Sequence, residues 1–228
     1  MVQAVNSCLQ ASAASNRVGK VALPILPGQN LISLPVVPSQ TSIGDLLGAQ
    51  LNGTGNPLTA DQVRTYNNIT KKYDIAWYCA AECEAWGAPW ANSWLKPNYT
   101  PSTMQLTPGM GFLVTNRGQE TKYIKVVGNV ATALNVNVYG KSNMLGASFP
   151  TSRTPDQLGF PALGGNEIEH WNAATQSYQS AWFCDCLGSP NHNQWVDSQT
   201  NLPTTMVIQP GTGFWYTNTH DPFVWQSQ

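Results

Sequence analysis

The sequence predicts an all-β protein: two tandem, homologous small β-sandwich or β-barrel modules behind an extended N-terminal arm. Three observations carry this. The stretch DQVRTYNNITKKYDIAWYC (61–79) lies without a gap over NEIEHWNAATQSYQSAWFC (166–184), with Asn67/Asn172, Thr70/Thr175, Tyr73/Tyr178, Ala76/Ala181, Trp77/Trp182 and Cys79/Cys184 identical. A second block, TMQLTPGMGFLVTN (103–116), recurs in the same order as TMVIQPGTGFWYTN (205–218). Self-similarity of this kind marks a repeated structural unit. Finally, 16 prolines and 19 glycines punctuate the chain too often for long helices, leaving short β-branched and aromatic segments that read as strands.

Taken in order, residues 1–17 are small and polar and read as a flexible arm. They lack the basic n-region and apolar h-region of a signal peptide. The first module spans 18–127 and the second 128–228. In the first, NLISLPVV, GFLVTN and TKYIKVVGNV read as strands, and Ser42–Leu47 as a single helical turn. YNNITKKY reads as strand–turn–strand, with two aromatics pairing across a polar turn. In PGMGF, a Pro-Gly turn feeds a strand and the second glycine clears space for a neighbouring backbone. The second module repeats these elements as NVNVYG, Pro155–Leu158, WNAATQSY and PGTGF. A weaker third match sets VGKVALPILPGQNLIS (18–33) against 127–146, with an insertion.

The succession Gly28-Gln29-Asn30-Leu31-Ile32-Ser33, Leu47-Gly48, Tyr66-Asn67, Thr70, Tyr73 and Pro108-Gly109-Met110-Gly111-Phe112 resembles a tandem β module of bacterial secreted and surface proteins, often found beside adhesin-like or anchoring segments. The resemblance covers nearly everything from residue 18 onward. The second module departs at Asn143-Met144-Leu145-Gly146, which no proline follows at the matching spot. The resemblance implies a fold and an extracellular or cell-surface setting. It implies no chemistry.

Charged residues make up 10% of the chain, against about 25% in ordinary globular domains. A neutral polar surface of this kind permits close self-association. With a net charge of −1 and no Lys/Arg run, nothing displaces counterions from a nucleic acid. No stretch of about 18 apolar residues is present to span a membrane.

The five cysteines fall as Cys8 on the arm, then Cys79 and Cys83, then Cys184 and Cys186, each pair just after the repeated tryptophan. C-x3-C and C-x-C match no common zinc frame, so no metal is expected. Disulfides within each pair suit an exported chain; pairing across modules or subunits is the alternative. The odd count leaves Cys8 for a bond to another chain.

No catalytic residue is expected. The three histidines lie in no nucleophile-elbow or metalloprotease context, and no carboxylate recurs at matching positions of the two blocks. No cofactor motif is present. Of nine tryptophans, Trp77/Trp182 and Trp94/Trp195 are expected in the two cores. Trp86 and Trp90, in a loop of the first module alone, and Trp215 and Trp225 are read as interface or ligand aromatics. The function expected is that of a non-enzymatic extracellular structural protein, assembling with copies of itself into a filament, tube or surface layer through arm-strand donation and disulfides. A carbohydrate- or surface-binding, adhesin-like module with a polysaccharide partner is the alternative. A reduced cytoplasmic scaffold is a third.

Overall fold

Several of the duplicated letters turn out to be residues that close turns. Asn67 Oδ1 accepts from the backbone N–H of Ile69 and Thr70 at 2.9 and 2.8 Å, and Asn172 Oδ1 from Ala174 and Thr175 at 3.0 and 3.3 Å. An asparagine that folds back on its own backbone makes a turn by itself. The hairpins exit through Lys71 and Gln176 at φ 58° and 51°, and set Tyr66 opposite Tyr73 and Trp171 opposite Tyr178. Asn30 and Asn143 do the same work at another corner. Each exchanges side-chain hydrogen bonds with the backbone four residues earlier, Leu26 and Tyr139, at 2.7–2.8 Å. Both are buried, which a primary amide tolerates only when its bonds are made.

The computed structural model describes residues 17–80, 83, 90–131 and 133–227. Its first half contains β1 (Val18–Ile25), β2 (Gly28–Ser33), a helical turn α1 (Ile43–Leu47), β3 (Gln62–Asn67), β4 (Lys72–Cys79), β5 (Ser93–Leu95), β6 (Gly111–Asn116) and β7 (Lys122–Asn129). The second half contains β8 (Leu134–Val138), β9 (Lys141–Gly146), a 3-10 turn (Pro155–Leu158), β10 (Glu167–Asn172), β11 (Ser177–Cys184), β12 (Gln194–Asp197), β13 (Gly213–Asn218) and β14 (Phe223–Ser227). The five-stranded sheet β2-β6-β3-β4-β5 of one half is matched strand for strand by β9-β13-β10-β11-β12 in the other. Each half adds a two-stranded ribbon, β1-β7 or β8-β14. The fold is all-β, in two similar sandwich-like halves.

In each half the ribbon packs across one face of the sheet. Leu23 and Ile25 of β1 and Ile124 and Val126 of β7 meet Ile32, Val63, Phe112 and Val114 of the sheet, with Ile43, Leu46 and Leu47 of α1 closing the end. Val138 and Trp225 of the second ribbon meet Leu145, Ile168, Phe214 and Tyr216 in the same way. The weak third match in the sequence is corrected here. Val127-Gly128 is not the counterpart of Val18-Gly19 but lies antiparallel beside it, Gly19 facing Gly128. The counterpart of β1 is β8, whose partner β14 stands where β7 stands.

The opposite faces of the two sheets meet at a joint that obeys the repeat. Leu31, Leu113 and Tyr66 from one half pack with Met144, Trp215 and Trp171, their equivalents from the other. Ile32 bridges to Thr212 and Leu145 to Met110, while Ser33 N–H donates to Gly211 O at 2.8 Å and Gly146 N–H to Gly109 O at 2.9 Å. Each bond has its mate with the halves exchanged, so the chain is internally a two-fold dimer. The hairpin turns clasp across: Lys71 Nζ donates to Ser142 O at 2.9 Å, and Gln176 Nε2 to Gln29 O at 3.0 Å.

This close approach explains the second glycine of each PGxGF. A Cβ on Gly111 would strike the carbonyl oxygen of Leu145, and one on Gly213 would come within 2.7 Å of Ile32 O. Gly213→Ala should therefore push the halves apart and cost about 1–3 kcal/mol. Gly44→Ala, in α1 with open space around it, should be neutral or stabilising by roughly 0.5–1 kcal/mol. Urea midpoints at unchanged slope check both.

Candidate functional site

Of the residues singled out by sequence, the four paired cysteines lie where expected: Cys79 is bonded to Cys83 and Cys184 to Cys186, with Cα separations of 6.1 and 5.2 Å. Cys83 and Cys79 pack with Trp77, Ala60 and Leu95 in a small apolar cluster. Cys8, most of the arm and Trp86 fall outside the described residues. Trp90 is 38% exposed.

Two aromatic readings need correction. Trp225 is 1% exposed in the core of the second half, its indole N–H donating to Leu158 O at 2.7 Å, because strand alternation turns it inward between exposed Val224 and Gln226. Trp215 serves an interface, but the one between the halves, donating to Tyr178 Oη at 3.2 Å. Among the expected core tryptophans, Trp77, Trp94 and Trp195 are buried, whereas Trp182 is only half-buried.

Trp182 opens onto the part of the joint-side sheet face that the other half leaves uncovered. Strand alternation and register lay out that face as a grid. On β10, Glu167, Glu169 and Trp171 share it; on β11, Trp182, Ser180 and Tyr178 stand opposite them in turn. On β13, Thr217 faces Glu167 and Trp215 faces Glu169. The same grid in the first half reads Gln62, Arg64 and Tyr66 on β3, with Trp77, Ile75 and Tyr73 opposite. There Trp77 is fully buried beneath Tyr99, ring centroids 5.5 Å apart, and its N–H is bonded to Lys96 O at 3.0 Å.

The second half has thus lost its cover. Serine replaces isoleucine in the row between Trp182 and Tyr178, and two carboxylates replace an amide and a guanidinium. Neither the Glu167 nor the Glu169 carboxylate has a hydrogen-bond or ion-pair partner among the described residues. Burial, and then the neighbouring Glu167 charge, push the Glu169 carboxyl above its ordinary value. Burial also raises the phenols of Tyr178 and Tyr73, which flank the joint and are 40% and 49% exposed. Sequence reasoning missed Glu167, Glu169 and Ser180 because it sought carboxylates shared by the two copies. The usable signal was the opposite one, difference within an ungapped alignment.

The charges around Asp61 are structural. Asp61 is buried, paired with Lys122 and accepting from Asn52 and Arg117 N–H at 2.8 and 2.9 Å. In the second half Asn166 takes its place and bonds Thr219 at 3.0 Å. No cluster of three or more His, Cys, Asp or Glu side chains suited to a metal ion occurs among the described residues. No described helix is long and apolar enough to cross a membrane. Comparison with protein-family models, with curated proteins and with solved structures finds no match.

His170 stands on β10 where the first half has Thr65, and burial lowers its pKa from the ordinary 6.5. The unfolded chain therefore takes up a proton first as pH falls, so folding stability attached to this group is complete above pH 6.5 and declines below it. His170→Thr should flatten that decline while leaving stability at pH 8 little changed. Thermal unfolding across pH 5–8 in both proteins provides the check; parallel curves would refute it.

Proposed function

We propose that this chain is a non-enzymatic structural subunit of an extracellular or cell-surface assembly, built from copies of itself. One observation carries the reading: β1 has β7 as its only sheet partner among the described residues, so one side of an eight-residue strand is left open. Val130 N–H donates to Arg17 O at 2.8 Å, which fixes the alternation. Odd-numbered residues of β1 exchange bonds with β7, and Val18, Lys20, Ala22 and Pro24 direct their backbone groups outward. Such an edge is a template for another strand, and the polar arm leads directly into it. An arm from one copy laid on β1 of the next gives a head-to-tail contact that propagates.

Two further features support the reading. The paired cysteines suit an oxidising compartment, and the sparse charge weakens repulsion between copies. The outer strands of the two five-stranded sheets are short and meet proline: Leu95 of β5 bridges to Pro101, and Val196 of β12 to Pro203.

The full chain under oxidising conditions should form polymers visible by negative-stain electron microscopy, and deletion of residues 2–17 should leave monomers. Ala22→Pro removes one outward N–H without touching a β1–β7 bond, as Pro24 already does two residues on, and should slow or stop growth with folding intact. Monodisperse wild-type protein at high concentration would sink the reading. If such monomers were held on insoluble polysaccharide and released by Trp90→Ala, the carbohydrate-binding alternative would be favoured, given the exposure of that ring.

A further inference from the structure

The half-open grid of the second half has a complement elsewhere on the same chain. The outer face of the β1-β7 ribbon presents Val18, Lys20, Ala22 and Pro24 opposite Asn129, Val127, Lys125 and Tyr123. Lys20 and Lys125 are exposed and their ammonium groups have no partner among the described residues, and Tyr123 and Val127 beside them are 54% and 55% exposed. The equivalent face of the β8-β14 ribbon carries Asn135, Asn137, Val224 and Gln226, with no charge. The lysines therefore belong to the first half alone, as the carboxylates Glu167 and Glu169 belong to the second.

The two sets also agree in spacing. Glu167 and Glu169 are alternate residues of one strand, about 7 Å apart. Lys20 and Lys125 are diagonal neighbours across a ladder, also about 7 Å apart. Around the carboxylates lie Trp182, Tyr178 and the small Ser180; around the lysines lie Tyr123, Val127 and Pro24. Each is a pair of like charges set among rings and aliphatic groups, uncompensated among the described residues. Ammonium groups brought against the carboxylates would neutralise both pairs, and the aromatic rings would take the lysine stems and the apolar neighbours.

We infer that the joint-side face of β10 and β11 is a docking surface for the Lys20–Lys125 ribbon face of a second copy. Donor and acceptor surfaces lie on different halves, so the contact is heterologous and repeats from copy to copy. It engages the face of the ribbon and leaves the β1 edge free for the arm, so the two contacts coexist. The inference rests on the self-assembly proposed above and names its interface.

Charge reversal tests it on the full chain, each variant first shown to melt like the wild type. Glu167→Lys with Glu169→Lys, and separately Lys20→Glu with Lys125→Glu, should each raise the concentration needed for assembly by at least about tenfold, because like charges then face one another. The fourfold variant carrying both reversals should return to within about threefold of the wild type, as no repulsive pairing of these surfaces remains. Should a reversed variant fail to fold, the wild type still decides: raising salt from about 0.05 to about 0.5 M should weaken assembly, and an unchanged response overturns the inference. Assembly indifferent to both reversals also overturns it while leaving the self-assembling role standing. Wild-type protein that never assembles overturns both.

Discussion

At the centre of the molecule two backbones pass each other with no room for a side chain. Gly111 lies against the carbonyl of Leu145, and Gly213 against that of Ile32. Around that contact the backbone bonds from Ser33 to Gly211 and from Gly146 to Gly109 lock the sheets, and Leu31, Leu113, Met144 and Trp215 exclude water from the joint. Neither half could bury this face alone. The outward apolar face of one sheet is covered by its own copy, which is the cheapest partner a duplicated chain has. The ribbons, the hairpin clasps and the exposed margins all take their positions from this joint.

A shared frame makes the differences between the halves informative. Turn-closing asparagines at 30 and 143, 67 and 172, and 116 and 218 are kept because each satisfies backbone groups that would otherwise be lost to water. The face positions beside the joint are not under that constraint. There Trp77 is sealed by Tyr99 and flanked by Ile75 and Arg64, while Trp182 lies open beside Ser180 and Glu167. The Asp61–Lys122 pair likewise has no ionic counterpart at Asn166, which reaches Thr219 with neutral bonds instead. One copy holds a closed surface, and the other an open one whose carboxylates have no partner among the described residues.

The distribution of edges and charges gives the molecule a direction. Outer sheet strands β5 and β12 are three and four residues long and bridge to proline-bearing returns, features that blunt pairing with other chains. The longer ribbon strand β1 has β7 as its only sheet partner among the described residues. Its outward face is basic and apolar, and the opposite half offers an acidic and aromatic one. A molecule that is two-fold in backbone is therefore polar in its chemistry, and polarity is what distinguishes growth from closure.

The all-β class, the duplication and most turns were legible in the sequence, because turn chemistry is local. Asn67 and Asn172 bond amides two and three residues away, and Pro-Gly presets a bend wherever it occurs. The short-range cysteine pairs were legible for the same reason. What could not be read was which side of each strand meets the other half. Trp225 and Trp182 differ in burial although both are strand tryptophans, and Val127-Gly128 resembles Val18-Gly19 while being its hydrogen-bonded partner. Those outcomes depend on contacts between residues a hundred positions apart, such as Ser33 with Gly211 and Trp171 with Gln29. Only the packed tertiary structure brings them together, because alternation along a strand fixes two faces without saying which of them will be covered.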